Sequence, residues 1–217
     1  TGMKDMPANQ MRATFDSVLT NVSVAGLEFT IPRETTSDVR WLERPGAARL
    51  PFDYRARHVW LQASVNGGPP QDFLFDTGAS VTVLDSSWAA EHGVATTGRM
   101  QAAGAGAAGG ASFATLASLR VAGRSGDGFE IPNVKVATLD VNPGFEPLMW
   151  RRMAGILGYD VISRFVVTID YDDSVLVFRD PATFRYEGRE KPLPMVLYGT
   201  VPALTGIVRL ADGTTLA

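Results

Sequence analysis

The chain has 217 residues, of which 45% are hydrophobic and 20% are charged, as is usual for a globular protein with a hydrophobic core. Twenty Lys and Arg against 23 Asp and Glu give a formal net charge of −3, without a basic block that would predict binding to nucleic acid. Cysteine is absent and histidine occurs twice, which excludes disulfides and thiolate catalysis and leaves few parts for a Ser/His/Asp triad or a zinc site.

The first part of the chain, residues 1–49, resembles the end of a domain more than a complete one. Ala13 to Val24 is rich in strand-forming residues, and Pro32, Pro45 and Gly46 then break the pattern. No apolar run reaches the ~18 residues that a transmembrane helix needs, so we expect no transmembrane segment.

From Leu50 onwards, short strand patterns follow one another closely. Val59 to Val65 mixes aromatic and β-branched residues and stops at Asn66-Gly67, which is typical of a hairpin turn. Asp72 to Asp76 predicts a second strand and Val81 to Leu84 a third, alternating with the period of two that strands show.

The rest of this region continues the pattern. A short helix is predicted over residues 86–92, with Asp85 as its cap and Gly93 at its end. Short apolar segments then include Ile131 to Leu139, and the acidic residues at 170–173 predict a solvated hairpin turn. Many short strands separated by turns predict a small all-β barrel or sandwich with short helices.

The segment from Phe73 to Ser80 places a carboxylate, Asp76, on a turn at the end of an apolar strand. Burying an acid without partners costs several kcal/mol or keeps it protonated, which favours a catalytic role. The adjacent Thr77 can hydrogen-bond across an interface, and Gly78 lets backbone amides approach the carboxylate. The alternative is that Asp76 only caps a turn, as isolated Asp-Thr-Gly tripeptides often do.

With apolar residues on both sides of Asp-Thr-Gly and Gly155-Ile156-Leu157-Gly158 some eighty residues later, the chain resembles retropepsin-like aspartic peptidases. In that family an apolar-apolar-Gly strand passes beneath the catalytic loop, and Ile156-Leu157-Gly158 matches it. The segments at 159–165 and 167–171 are similar to the ending of bacterial single-lobe members. The resemblance covers residues 50–181 and implies a small closed acid-peptidase barrel.

The resemblance also implies a mechanism, the hydrolysis of peptide bonds by an aspartic endopeptidase that uses neither metal nor cofactor. Two paired aspartates share one proton, and Asp76 is the only member of such a pair in this sequence. The second aspartate is expected from a homodimer or from a second lobe. The alternative is a non-catalytic module for dimerisation or peptide binding.

The Gly/Ala tract at 103–112 occupies the place of the flap, a hairpin that covers the substrate in this family. The candidate flap residues are Gly104, Gly106, Gly109 and Gly110. A surface linker is the alternative. The same tract spells the dinucleotide-binding fingerprint, but no buried strand precedes it and strands do not alternate with long helices, so we set that interpretation aside.

We therefore divide the chain into an N-terminal β segment or linker (1–49), a peptidase lobe (50–181) and a C-terminal extension (182–217). Leu193-Pro194 and the strand pattern that follows resemble Leu50-Pro51 and the strand pattern that follows it. The extension is therefore either the start of a second lobe or an unrelated strand. The N-terminal segment is similar, in its general pattern of residue types, to the lipoprotein-carrier-like β domain that precedes some bacterial peptidases. That similarity predicts a periplasmic or cell-envelope location.

Overall fold

The computed structural model describes residues 38–103, 108–189, 191–204, 206, 208–211 and 213–216. The chain separates into two compact units, residues 1–35 and residues 36–217, and all described residues belong to the second. The strand predicted between Ala13 and Val24, and the candidate flap residues Gly104 and Gly106, lie outside the described residues.

The described part consists mostly of short strands. In chain order the strands are β1 (Arg40–Trp41), β2 (Ala47–Pro51), β3 (Asp53–Arg55), β4 (His58–Val65), β5 (Gln71–Phe75), β6 (Val83–Asp85), β7 (Thr97–Ala103), β8 (Ala108–Ala122), β9 (Gly128–Leu139), β10 (Gly155–Leu157), β11 (Val166–Asp170), β12 (Val175–Arg179), β13 (Met195–Tyr198), β14 (Val201–Leu204), β15 (Val208–Arg209) and β16 (Thr215–Leu216). The helices are α1 (Ser86–Glu91), α2 (Asn142–Met149) and α3 (Tyr159–Ile162).

Six strands close on themselves to form a barrel. β4 pairs with β5, β5 with β10, β10 with β6, β6 with β9, β9 with β8, and β8 again with β4. β1, β3 and β7 extend this sheet from β9, β4 and β8, and β11, β12 and β2 form a separate three-stranded sheet. The predicted all-β fold, a small closed barrel with short helices, is confirmed.

The pattern of buried side chains along the barrel strands follows from strand geometry. Along β9, the buried residues Val134, Val136 and Thr138 alternate with more exposed ones, because successive side chains of a strand point to opposite faces. β5 differs, since Phe73, Leu74 and Phe75 are all buried. Phe73 and Phe75 join the main core and Leu74 joins a second, smaller cluster, so both faces of β5 are covered.

Two predicted turns are confirmed. Asn66 and Gly67 both have positive φ, 52° and 76°, and the Gly68 N–H donates to the Val65 carbonyl at 2.9 Å, so these residues form a tight turn within the connection from β4 to β5. Between β11 and β12, the Asp173 N–H donates to Asp170 Oδ1 at 3.0 Å, so the acidic residues there form a turn. The strand predicted to begin at Val81 begins only at Val83, because the residues before it belong to a braced loop.

Candidate active site

The loop after β5 carries Asp76, Thr77 and Gly78 and leads into β6. β10 lies between these two strands, parallel to β5 and antiparallel to β6, so the loop passes over the end of β10. The Asp76 N–H donates to the Leu157 carbonyl at 3.1 Å, and the Tyr159 N–H donates to the Ala79 carbonyl at 2.8 Å. The predicted passage of the apolar-apolar-Gly strand beneath this loop is confirmed.

The carboxylate of Asp76 is half-buried and is contacted from its own turn. The Gly78 N–H donates to Asp76 Oδ1 at 2.8 Å, and a Cβ atom added at Gly78 would lie 3.2 Å from that oxygen. Thr77 and Gly78 are exposed. The structure therefore brings the three predicted residues together, but the same hydrogen bond fits both a catalytic loop and a simple aspartate turn.

Thr82 and Asp160 brace the far end of the loop. The Thr82 N–H and the Thr82 hydroxyl both donate to Asp160 Oδ1, each at 2.7 Å, and the Gly158 N–H donates to Thr82 Oγ1 at 3.1 Å. Thr82 is completely buried. The sequence analysis did not predict this brace; its signal is the polar Thr82 between two valines, together with an acid two residues after Gly158.

The glycines around β10 are required by close backbone packing. A Cβ at Gly158 would lie 2.5 Å from the Val81 carbonyl, and one at Gly155 would lie 2.2 Å from the Val83 carbonyl. Neither contact is tolerable for a carbon atom, so β10 can approach the Asp76 loop and β6 only with glycine at both positions.

Asp85 caps α1, as predicted, but it does more than that. Its buried Oδ1 accepts hydrogen bonds from the Ser87 hydroxyl at 2.5 Å and the Trp88 N–H at 3.0 Å. Its Oδ2 accepts from the backbone N–H groups of Val141 and Asn142 at 3.2 and 3.1 Å. Burial by itself would raise the pKa of Asp85, but these hydrogen bonds outweigh it and lower the pKa below the ordinary value.

Arg151, shortly before β10, holds the chain that enters this strand. Its guanidinium donates to both Oδ atoms of Asp72 at 2.5 and 2.6 Å and to Asp53 Oδ2 at 2.9 Å, and lies 5.2 Å from the centre of the Trp60 ring. Burial opposes its charge, but the two carboxylates raise the pKa of Arg151 further. Since the Ala154 N–H donates to the Asp72 carbonyl, this network fixes where β10 begins.

In the tract predicted to be a flap, Ala103 lies on β7 and residues 108–112 lie on β8, which pairs antiparallel with β7. Gly109 and Gly110 lie on β8, opposite Ala102 and Gln101 of β7. An antiparallel hairpin is not the strand–turn–helix that dinucleotide binding requires, which agrees with setting that interpretation aside. Whether these glycines serve as a flap stays a prediction.

Within the described residues, no group of three or more acidic or histidine side chains is arranged to hold a metal ion. Among the helices described here, none has the length and apolarity needed to cross a membrane.

Residues 61–161 match the family described as aspartyl protease, which confirms the predicted resemblance to retropepsin-like aspartic peptidases for this part of the chain. A search of curated proteins found no match.

The solved structures similar to this chain include the following three. A retropepsin-like aspartic protease from Rickettsia conorii is 23% identical, with 65% of this chain and 96% of that chain covered and a TM-score of 0.41. The retroviral protease-like domain of Ddi1 from Leishmania major is 16% identical, with 56% and 95% covered and a TM-score of 0.32. EIAV protease complexed with the inhibitor HBY-793 is 22% identical, with 48% and 84% covered and a TM-score of 0.27.

Proposed function

We propose that this protein is an aspartic endopeptidase that cleaves peptide or protein substrates with a water molecule activated between Asp76 and a second aspartate. The observation that carries the proposal is the half-buried Asp76 carboxylate, held on a loop that β10 supports from below within a region that matches the aspartyl protease family. The proposal requires a partner, because these 217 residues contain a single Asp-Thr-Gly.

The chemistry follows from placing two carboxylates ~3 Å apart, where they cannot both ionise and therefore share one proton. The ionised carboxylate removes a proton from the water as the water attacks the scissile carbonyl. The protonated carboxyl donates a hydrogen bond to the carbonyl oxygen, which stabilises the developing negative charge. In this mechanism Thr77 braces the two loops against each other and Gly78 shapes the surroundings of the carboxylate.

The exposure of the loop supports such a pairing. Thr77 and Gly78 are exposed and Asp76 is only partly covered, so the surface that a second loop would meet is accessible. The partner loop comes from a homodimer or from a second lobe, and both arrangements present a like loop to this one.

The test is Asp76→Asn, which keeps the shape of the side chain but removes its ability to act as a base. We expect peptide cleavage to fall by at least ~10²-fold, in line with the loss of a general acid–base group. The thermal melting curve should stay close to that of the unchanged protein. Asp172→Asn, on the exposed turn between β11 and β12, is the matched control and should cleave normally. Undiminished cleavage by Asp76→Asn would refute the proposal.

A non-catalytic module for dimerisation or peptide binding is the second candidate, favoured by the presence of a single Asp-Thr-Gly. It predicts that the protein binds peptides or itself without cleaving them, and that Asp76→Asn leaves this binding unchanged. Measuring peptide binding and peptide cleavage on the same preparation separates the two candidates.

A further inference from the structure

The described part of the chain begins with a short segment, residues 38–41, that extends the barrel sheet; we call this segment the strap. Its strand β1 pairs antiparallel with β9, so that Trp41 lies opposite Phe129. The Trp41 ring meets the rings of Phe129 and Phe165 edge to face, with ring centres 6.3 and 5.7 Å apart. Both phenylalanines belong to the main core. The strap is therefore fixed to the barrel by its backbone and by one aromatic ring.

The strap also carries two charged side chains, and each is paired with a different part of the molecule. Arg40 Nη1 donates to Glu130 Oε1 at 3.1 Å, and Glu130 lies within the sheet on β9. Asp38 is paired with Arg164, which follows the end of α3 by two residues. Arg164 Nε donates to Asp38 Oδ1 at 2.9 Å, and Arg164 Nη2 donates to Asp38 Oδ2 at 3.0 Å.

Arg164 is shared between the strap and the brace of the Asp76 loop. Asp38 occupies the edge of the guanidinium formed by Nε and Nη2, while Nη1 donates to the backbone carbonyl of Asp160. Because a guanidinium is planar and rigid, a two-bond fork on one edge also fixes the direction in which Nη1 points. The side chains of Arg164 and Asp38 are 30% and 48% exposed, so this ion pair adds little stability of its own. Its main contribution is orientation.

Asp160 continues this contact to the Asp76 loop. Its Oδ1 accepts both the N–H and the hydroxyl of Thr82, each at 2.7 Å. Three hydrogen-bonded steps therefore connect the strap to the loop, from Asp38 to Arg164, from Arg164 to Asp160, and from Asp160 to Thr82.

We propose that Arg164 is a positioning residue for the cleavage reaction, and that the strap holds Arg164 in place through Asp38. The inference rests on the proposed function for the effect on cleavage, and on the hydrogen-bonded path for the coupling itself. Arg164 acts at a distance, because it orients Asp160, which in turn holds the far end of the Asp76 loop. Asp38 and Arg164 both lie outside residues 61–161, which match the family, so the inference comes from the contacts of this chain.

The first test compares Asp38→Ala with Arg40→Ala. Each variant removes one charged side chain from the strap and leaves its backbone and Trp41 in place. We expect kcat for peptide cleavage to fall ~3- to 10-fold in Asp38→Ala, with KM little changed. Arg40→Ala should leave both constants unchanged. Because both pairs are partly exposed, the two variants should have similar melting temperatures. Equal kcat values for the two variants would overturn the inference and leave the proposed function intact.

Conservative variants separate orientation from charge. Asp38→Glu keeps the carboxylate and should retain most of the cleavage rate. Arg164→Lys keeps the positive charge but replaces the planar fork by a single ammonium group, so its kcat should fall as in Asp38→Ala. Combining Asp38→Ala with Arg164→Lys should lower kcat no further than either change alone, since both interrupt the same path. Multiplying losses in the double variant would show that the two residues act independently and would overturn the inference.

Amide hydrogen exchange tests the path without any measurement of cleavage. The Thr82 N–H, which donates to Asp160, and the Gly158 N–H, which donates to Thr82 Oγ1, report on the brace directly. Both amides should exchange ~3- to 10-fold faster in Asp38→Ala and at the original rate in Arg40→Ala. Unchanged exchange in Asp38→Ala would overturn the path from the strap to the loop. If the unchanged protein cleaves no peptide, the proposed function fails, and the exchange rates still decide whether the strap orders the loop.

Discussion

Asp76 is positioned mainly through its own backbone. Its N–H donates to Leu157 of β10 and its carbonyl accepts from the Ala79 N–H at 3.3 Å, while its carboxylate receives the Gly78 N–H. Because the peptide groups carry the positioning, the carboxylate keeps one oxygen free of the Gly78 N–H, and that oxygen can serve in proton transfer.

Gly78→Ala tests this arrangement at a single atom. The new methyl group would lie 3.2 Å from Asp76 Oδ1, close enough to displace the carboxylate by a few tenths of an ångström. We expect kcat/KM to fall by ~10-fold or more, since small misplacements of a catalytic group are costly. Because Gly78 is exposed, the free energy of unfolding should change by less than ~1 kcal/mol. A variant that loses stability and activity together would show that Gly78 has a structural role.

At the scale of elements, β5, β10 and β6 form one unit, and Thr82 joins its parts. Thr82→Val keeps the shape of the side chain but removes the hydroxyl, which leaves the Gly158 N–H and Asp160 each short of a partner. We expect a loss of ~1–3 kcal/mol in the free energy of unfolding, the usual cost of unsatisfied buried polar groups. Thr115→Val, on an exposed position of β8, is the control and should be close to neutral in urea denaturation. Equal stability of the two variants would contradict the brace.

Much of this unit, and the turn that leads into β5, could be predicted from the sequence because the signals are local. Asn66-Gly67 specifies its turn by backbone conformation, and the apolar run before Asp76 specifies a buried strand. The bonds from Thr82 to Asp160 and from Arg151 to Asp72 could not be predicted, since they join residues 78 and 79 positions apart. Such contacts exist only once the barrel has closed, and no local pattern records them.

At the scale of the whole molecule, Asp85 links α1 to the start of α2 and makes the stability of the lobe depend on pH. Its folded-state pKa lies below its ordinary value of 3.8. Its contribution to stability is therefore complete above about pH 4 and is lost as the pH falls through the lower, folded-state pKa. The lobe is thus expected to stay folded in mildly acidic solution.

Asp85→Asn tests this linkage, because an amide offers one acceptor oxygen where four donors converge. We expect a loss of ~2–4 kcal/mol in the free energy of unfolding at pH 7. Urea denaturation of the unchanged protein between pH 7 and pH 3 should show stability falling below about pH 4, and Asp85→Asn should lack that part of the fall. Asp172→Asn, which is exposed, should follow the unchanged protein. A variant with the same slope below pH 4 as the unchanged protein would show that another group is responsible.

The two backbone hydrogen bonds that join the Asp76 loop to Leu157 and Tyr159 are formed within this one barrel. In the proposed pairing, the loop is therefore ordered before it meets its counterpart, so the conformational entropy of that segment is lost during folding and not during assembly. Bringing the halves together then resembles the docking of two rigid bodies. A compound meant to inactivate the protein by unfolding this loop would have to oppose the folding of the whole barrel, whereas one that occupies the contact face would oppose only the docking.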